Sequence, residues 1–176
     1  MEILERIGII VLAKCKGVAI VDWDDFDLVA QYPWHRERPR SSKTAYAVRT
    51  MPTGHDGKQR KQKMHQLIMD YTGIDHRDGD GLNCRQSNLR PANQSQQNAN
   101  KGKRSDNTSG YIGVCWNRTE GKWVAQVRQY GKCVWSERFD EVDLEMAVSV
   151  RDAIAREVWG EFAVLNFPTE KSDSDE

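Results

Sequence analysis

Short apolar segments alternate with polar ones along this chain, and the hydrophobic pattern changes character after its midpoint. Residues 7–21 read as two strands, Gly8–Ala13 and Val18–Asp22, joined by a turn over residues 14–17. Asp22 to Tyr32 predicts a short acidic helix capped by Asp24, with Phe26, Val29 and Ala30 on one face and Pro33 ending it. Trp34 and the alternation Tyr46-Ala47-Val48-Arg49 predict further strands on either side of a basic loop from Arg36 to Lys43. Pro52, Gly54 and Gly57 then make a turn that leads into a basic edge strand ending at Lys63. Met64, Leu67, Ile68 and Tyr71 have helical spacing, and Gly73 stops that helix. Ile74-Asp75-His76 enters as a strand, Gly79 and Gly81 form a turn, and Ser87 caps a helix from Asn88 to about Gln97.

Lys101 to Ser109 is small, polar and basic, with no apolar anchor, and reads as a linker. Beyond it, Tyr111–Trp116, Lys122–Gln129 and Lys132–Phe139 predict three strands with turns at 119–121 and 130–131. Val142 to Trp159 predicts a long helix whose stripe (Leu144, Ala147, Val148, Arg151, Ile154, Ala155, Val158 and Trp159) packs on one sheet face. Alternation then turns Ala125 and Val127 toward the helix and leaves Gln126, Arg128, Cys133 and Trp135 on the open face. The expected fold class is α+β, with one domain over residues 1–104, a second over 105–168, and a disordered acidic tail over 169–176.

Composition narrows the class. The chain is polar, with 30% charged residues, yet six Trp, five Tyr and four Phe suffice for two small cores in 176 residues. No segment approaches the roughly 20 apolar residues of a membrane span. The apolar run Ile7–Ala13 is too short for a signal-peptide core, and Glu2 and Glu5 flank it wrongly, so a cytoplasmic location is expected. Four scattered cysteines without a Cys-x-x-Cys pair argue against a zinc knuckle and for buried free thiols.

The formal charge of zero conceals segregation. Residues 35–104 hold 15 basic and 6 acidic side chains, a net of +9, while residues 1–34, 105–168 and 169–176 are each −3. A polycationic middle third points to nucleic-acid contact. Arg60, Lys61, Lys63, Arg77 and Lys101 are candidates for phosphate contacts, which position a duplex without reading its sequence.

Within that segment lies the candidate chemistry. Hydrolysing a phosphodiester needs an activated water, a cation on the scissile phosphate and relief of charge on the leaving oxygen. A carboxylate can hold a divalent metal, and a neutral imidazole near its ordinary pKa can take the water's proton. Asp75 and His76 supply those two groups side by side, and amides on a following helix can complete a hard-cation site. The sequence Asp78-Gly79-Asp80-Gly81 has the look of a calcium loop but lacks the Glu that closes one.

Residues 64–100, from MHQLIM through IDHRDGDGLNCRQSNLRPANQSQQNAN, resemble the HNH endonuclease family, in particular its phage and intron-associated homing type. The resemblance extends over about residues 7–101. It implies a ββα-metal nuclease domain with His76 as general base and Asp75 as acidic ligand of Mg²⁺ or Mn²⁺. It further implies that Asn88, twelve residues after His76, fixes the loop and orients that histidine. The helical metal ligand falls on Gln97, nine residues later, and the next family position on Asn100. Gln97 has one methylene more than the usual Asn, and Cys84 stands where related sequences usually carry Asn. His65 also matches a family position, as a structural or phosphate-contacting residue.

Residues 108–168 resemble the plant APETALA/ethylene-response-factor DNA-binding domain, which docks a three-stranded sheet in the major groove. The positions implied for contact are Cys115, Asn117, Gln126, Arg128, Cys133 and Trp135. Together the two resemblances imply a metal-dependent endonuclease acting on double-stranded DNA; a monomer is favoured, and a single site suggests one nick per monomer, with a double-strand break left open. The alternatives are a non-catalytic DNA-binding regulator on a degenerate scaffold and, further off, an RNA-binding accessory protein.

Overall fold

In the computed structural model, residues 6–13, 17–40, 44–100, 102–103 and 107–168 are described. The chain is a mixed α+β protein of small antiparallel sheets and, among the described residues, four α-helices. It divides into two compact units, the first ending at Asn93 and the second beginning at Gln94. No helix among the described residues is long and apolar enough to cross a membrane. Cys15, Lys101, Arg104 and the acidic tail lie outside the described residues, as does most of the turn expected at 14–17.

The first unit starts with strands β1 (Ile7–Val11) and β2 (Val18–Asp22), paired antiparallel with Ile9 opposite Ile20. Helix α1 (Trp23–Ala30) follows at once. The expected cap at Asp24 is not used. The N-cap is Asp22, whose carboxylate instead accepts the Gln86 backbone N–H at 2.7 Å. A second sheet pairs β3 (His35–Glu37), β4 (Tyr46–Thr50) and β5 (Lys61–Lys63). Helix α2 (Met64–Met69) ends when Asp70 takes the left-handed conformation at φ 48°, three residues before the glycine expected to stop it. Ile10, Leu12, Ala19, Val21, Val29, Trp34, Ala47, Met64 and Cys84 form the core. Trp34 is anchored in it by its indole N–H, which donates to the Val29 carbonyl at 2.8 Å.

The next segment departs from expectation. Residues 88–97 are not one helix capped by Ser87. A 3-10 turn (Gln86–Asn88) leads into strand β7 (Leu89–Pro91), which pairs antiparallel with β6 (Ile74–His76). Helix α3 starts only at Gln94 and ends at Ala99. Tertiary pairing decides the matter: Leu89 and Arg90 lie opposite His76 and Asp75, and Pro91 cannot extend a helix backward. Helix α3 groups with the second unit, where Ser95 Oγ accepts the Tyr130 N–H at 2.9 Å. The observed division therefore lies nearer the N-terminus than the expected one after residue 104.

The rest of the second unit follows the expected elements closely. Strands β8 (Val114–Asn117), β9 (Lys122–Gln129) and β10 (Lys132–Phe139) form an antiparallel sheet with β9 central. Helix α4 (Leu144–Trp159) covers one face, burying Ala147, Val148 and Ala155 with Val114, Ala125 and Phe139. Gly113, at φ 74°, lies so close to Arg151 Nε and the Gln126 carbonyl that an added Cβ would stand 2.7 and 2.8 Å from them. Arg151 and Asp152, both buried, bind the returning chain. Asp152 accepts the backbone N–H groups of Asn166 (2.6 Å) and Phe167 (2.9 Å), and Arg151 donates to the Val164 carbonyl (2.8 Å).

Candidate functional site

The β6–β7 hairpin sets the geometry. Its three-residue strands hold Asp75 across from Arg90 and His76 across from Leu89. Asp75 Oδ2 accepts from both Nε (3.0 Å) and Nη2 (2.9 Å) of Arg90, and both side chains are buried. The connection after His76 is tied down by its own polar groups. Asp78 Oδ1 accepts the Asp80 N–H (2.8 Å), Asp78 Oδ2 accepts Asn83 Nδ2 (2.8 Å), and Asp80 Oδ1 accepts the Leu82 N–H (3.0 Å). Such side-chain-to-backbone bonds are how Asp closes turns.

Asn88 joins both ends of this connection. Its Nδ2 donates to Asp78 Oδ1 (2.9 Å) and the Asn83 carbonyl (2.8 Å), and its Oδ1 accepts the Asp78 N–H (3.1 Å). Its backbone carbonyl accepts the Arg77 N–H at 2.9 Å. The loop is fixed outward as well, because Ile20 donates to the Leu82 carbonyl (2.9 Å) and Cys84 donates to the Ile20 carbonyl (2.7 Å). Gly81 lets it approach β4: an added Cβ there would collide with the Ala45 carbonyl and the Tyr46 ring.

His76 therefore occupies a position with little freedom. It is only 4% exposed, and its ring meets that of His65, on α2, edge to face at 4.7 Å between centroids. Tyr46 lies beside both rings, at 5.8 Å from His65 and 5.9 Å from His76. Cys84, fully buried, completes the group. One donor atom from each of His65, His76 and Cys84 lies within 4.8 Å of the other two.

Burial controls the protonation of this group. It pushes His65 down to about 3, aided by the nearby His76 and Lys63. It also lowers His76, against the opposing pull of Asp78, Asp75 and Asp80. The same desolvation pushes the Cys84 thiol up to about 12. At neutral pH the cluster is thus two neutral imidazoles and a thiol. Burial works against the Asp78 carboxylate, but hydrogen bonds from Asn83, Asp80 and Asn88 hold it below the ordinary range.

Of the residues expected here, His76, Asp75 and Asn88 come together in the first unit, while Gln97 and Asn100 are half-buried residues of the second. His65 is 3% exposed and packs on His76, so it is a structural partner of that ring and offers no surface for a phosphate. The sequence reading missed three participants: Cys84 as a donor beside the histidines, Asp78 as the loop's anchor and Arg90 as the partner of Asp75. For Arg90 the signal was available, since opposite charges face each other once the hairpin is drawn.

The basic residues sit in different surroundings. Arg77 is exposed. Arg60 and Lys61 are exposed but paired with Asp56 (2.7 Å) and Glu37 (2.6 Å). Lys63 is half-buried with its ammonium 4.1 Å from the Tyr46 ring centroid, and desolvation lowers its pKa.

On the second unit's sheet, Ala125 and Val127 are buried, and Gln126 and Arg128 lie on the opposite face. Cys115 and Cys133 are exposed. Trp135 is a correction. A register shift between Cys133 and Trp135 places Trp135 opposite Val127, on the covered face with the α4 core. One extra residue in β10 inverts the alternation beyond it. Asn117 uses its Oδ1 to accept the Thr119 and Glu120 N–H groups, closing the β8–β9 turn. No family model, curated protein or solved structure matches this chain.

Proposed function

We propose that the chain is a DNA phosphodiester hydrolase of the HNH type, with the second unit as a sheet-reading DNA-binding module. The observation that carries this reading is the Asn88 network. Asn88 ties residues 77, 78 and 83 together directly behind His76, the role that the family resemblance assigns to it.

His76, neutral at pH 7 because burial disfavours its charged form, takes the proton of the attacking water. Asn88 and Asp78 hold the loop that carries it. Arg77 and the basic strand before α2 supply positive charge for the phosphate backbone. On the second unit, Gln126 and Arg128 present a hydrogen-bonding and cationic surface of the kind that reads base edges.

A divalent cation, Mg²⁺ or Mn²⁺, is the cofactor the resemblance implies, and it would neutralise charge on the scissile phosphate. The first unit's carboxylates are a poor fit for such a hard ion. Asp75 is engaged through Oδ2 with Arg90, and Asp78 and Asp80 accept the hydrogen bonds that shape the loop. The same engagement of Asp75, with the burial of His76, favours the second reading, a DNA-binding regulator that no longer cuts.

Relaxation of supercoiled plasmid with Mg²⁺ or Mn²⁺ separates the two readings. The nuclease reading expects nicked product from wild type and loss of nicking in Asn88→Ala. A wild-type protein that shifts duplex DNA in a gel but cuts it with no divalent metal is the regulator.

A further inference from the structure

We propose that His65, His76 and Cys84 form a binding site for a borderline-soft divalent metal of the Zn²⁺ type, and that filling it silences His76. The second half of this proposal rests on the reading of His76 as general base; the binding site does not.

Three separate elements deliver the donors: α2 brings His65, β6 brings His76, and the loop before the 3-10 turn brings Cys84. Two imidazole nitrogens and a sulfur suit Zn²⁺, Co²⁺ or similar ions and are unsuited to Mg²⁺ or Ca²⁺, which take oxygen. The donor atoms lie within 4.8 Å of one another. Metal–ligand bonds of about 2.0–2.3 Å place tetrahedral donors roughly 3.3–3.7 Å apart. The remaining closure is on the order of 1 Å, within reach of side-chain rotation about a fixed backbone.

That backbone is fixed. Residue 76 is held by β7, and residue 84 by its N–H bond to Ile20. Asp78, Asp75 and Asp80 bear on His76 with negative charge, opposed by the Lys63 ammonium. Three protein ligands leave a fourth position for water. On binding, the Cys84 S–H bond breaks, its proton goes to solvent, and the sulfur's electron pair forms the metal–sulfur bond. His76, with a ring nitrogen on the metal, then cannot accept a proton from water at that atom.

Co²⁺ titration of the full, metal-free chain tests the site. Wild type should bind one equivalent with a thiolate-to-cobalt charge-transfer band and the intense visible bands of four-coordinate cobalt, both bleached by Zn²⁺. Cys84→Ser should lose the charge-transfer band, and its affinity should fall by more than the roughly 10–100-fold that loss of an outer-shell partner costs. Cys15→Ser/Cys115→Ser/Cys133→Ser should keep the band, which excludes the other thiols, and an unchanged cooperative melt of metal-free Cys84→Ser establishes that this variant folds. Absence of the band in wild type, or its persistence in folded Cys84→Ser, overturns the site. In cleavage assays, Zn²⁺ should suppress wild-type nicking at least tenfold and Cys84→Ser nicking far less, each compared with its own zinc-free rate. A cobalt site with the expected thiolate dependence, in a chain that never nicks, upholds the metal site while removing the nuclease reading.

Discussion

Asp75 and Arg90 face each other across the β6–β7 hairpin as a buried ion pair, with both guanidinium contacts converging on Asp75 Oδ2 at 3.0 and 2.9 Å. The pair sits one residue from His76 and fixes the register of the strand that carries it. Removing one partner strands the other charge in the core, at a cost of about 3–5 kcal/mol. Arg90→Met should therefore lower unfolding stability by about that amount in urea titrations. The double variant Asp75→Leu/Arg90→Met should be less destabilised than Arg90→Met alone. Equal loss in the two would show that the Asp75 charge left behind by Arg90→Met costs nothing.

Stability should have two pH limbs with opposite signs. His65 falls from 6.5 to about 3 in the folded chain, so below pH 6.5 the unfolded state binds a proton that the folded state refuses. Its contribution is complete above 6.5 and is lost as pH falls toward 3; His76 shifts in the same direction. Cys84 rises from 9.0 to about 12, so its contribution is complete below pH 9.0 and is lost as pH rises from there. Melting curves in chelator should give a plateau between these limits. His65→Phe should flatten the acid limb and leave the alkaline one.

Arg128 and Trp135 should separate reading from packing. Arg128 is exposed on the open sheet face, whereas Trp135 packs with the α4 core. Arg128→Ala should weaken duplex binding by roughly 1–3 kcal/mol if it contacts a base, with the melting temperature unchanged. Trp135→Ala should instead destabilise the unit, at up to the roughly 3–5 kcal/mol of a core aromatic truncation. A binding loss for Trp135→Ala at unchanged stability would restore it to the open face.

Asp152 anchors the chain that returns after α4. It accepts from Asn166 Nδ2 (2.9 Å) and two backbone N–H groups, and it pairs with buried Arg151 at 2.9 Å. Asp152→Ala should cost about 3–5 kcal/mol, because Arg151 then keeps a buried charge without its partner. Hydrogen exchange at residues 164–167 should accelerate in the same variant.

The sequence made some of this legible, for identifiable reasons. The β9 alternation was readable because Ala125 and Val127 are small or branched residues between polar neighbours, and period 2 is a local property. Trp135 was misplaced because a bulge leaves no trace in that alternation until the strand is paired. The segment after Asn88 was misread as helix because pairing of Leu89 and Arg90 with β6 is non-local and overrides the helical look of the amide run. His65, His76 and Cys84 sit on three different elements, so no single-element spacing could bring them together. The resemblance implies a loop-fixing role for Asn88, and the bonds that tie it to Asp78 and Asn83 join residues five and ten positions away, which no local spacing displays; the facing of Asp75 by Arg90 follows once residues 89–91 are read as a strand.

On the proposed reading, His76 takes the proton of the attacking water in a DNA-cutting reaction. The most direct measurement is single-turnover cleavage of duplex DNA by wild type and His76→Ala, in chelated-then-Mg²⁺ or Mn²⁺ buffer, with binding followed in parallel. The expected result is nicking by wild type, lowered in His76→Ala by at least the roughly 10²-fold that a general base contributes, with duplex affinity unchanged in the variant. Equal cleavage by both proteins, or none by a wild type that binds tightly, would contradict it.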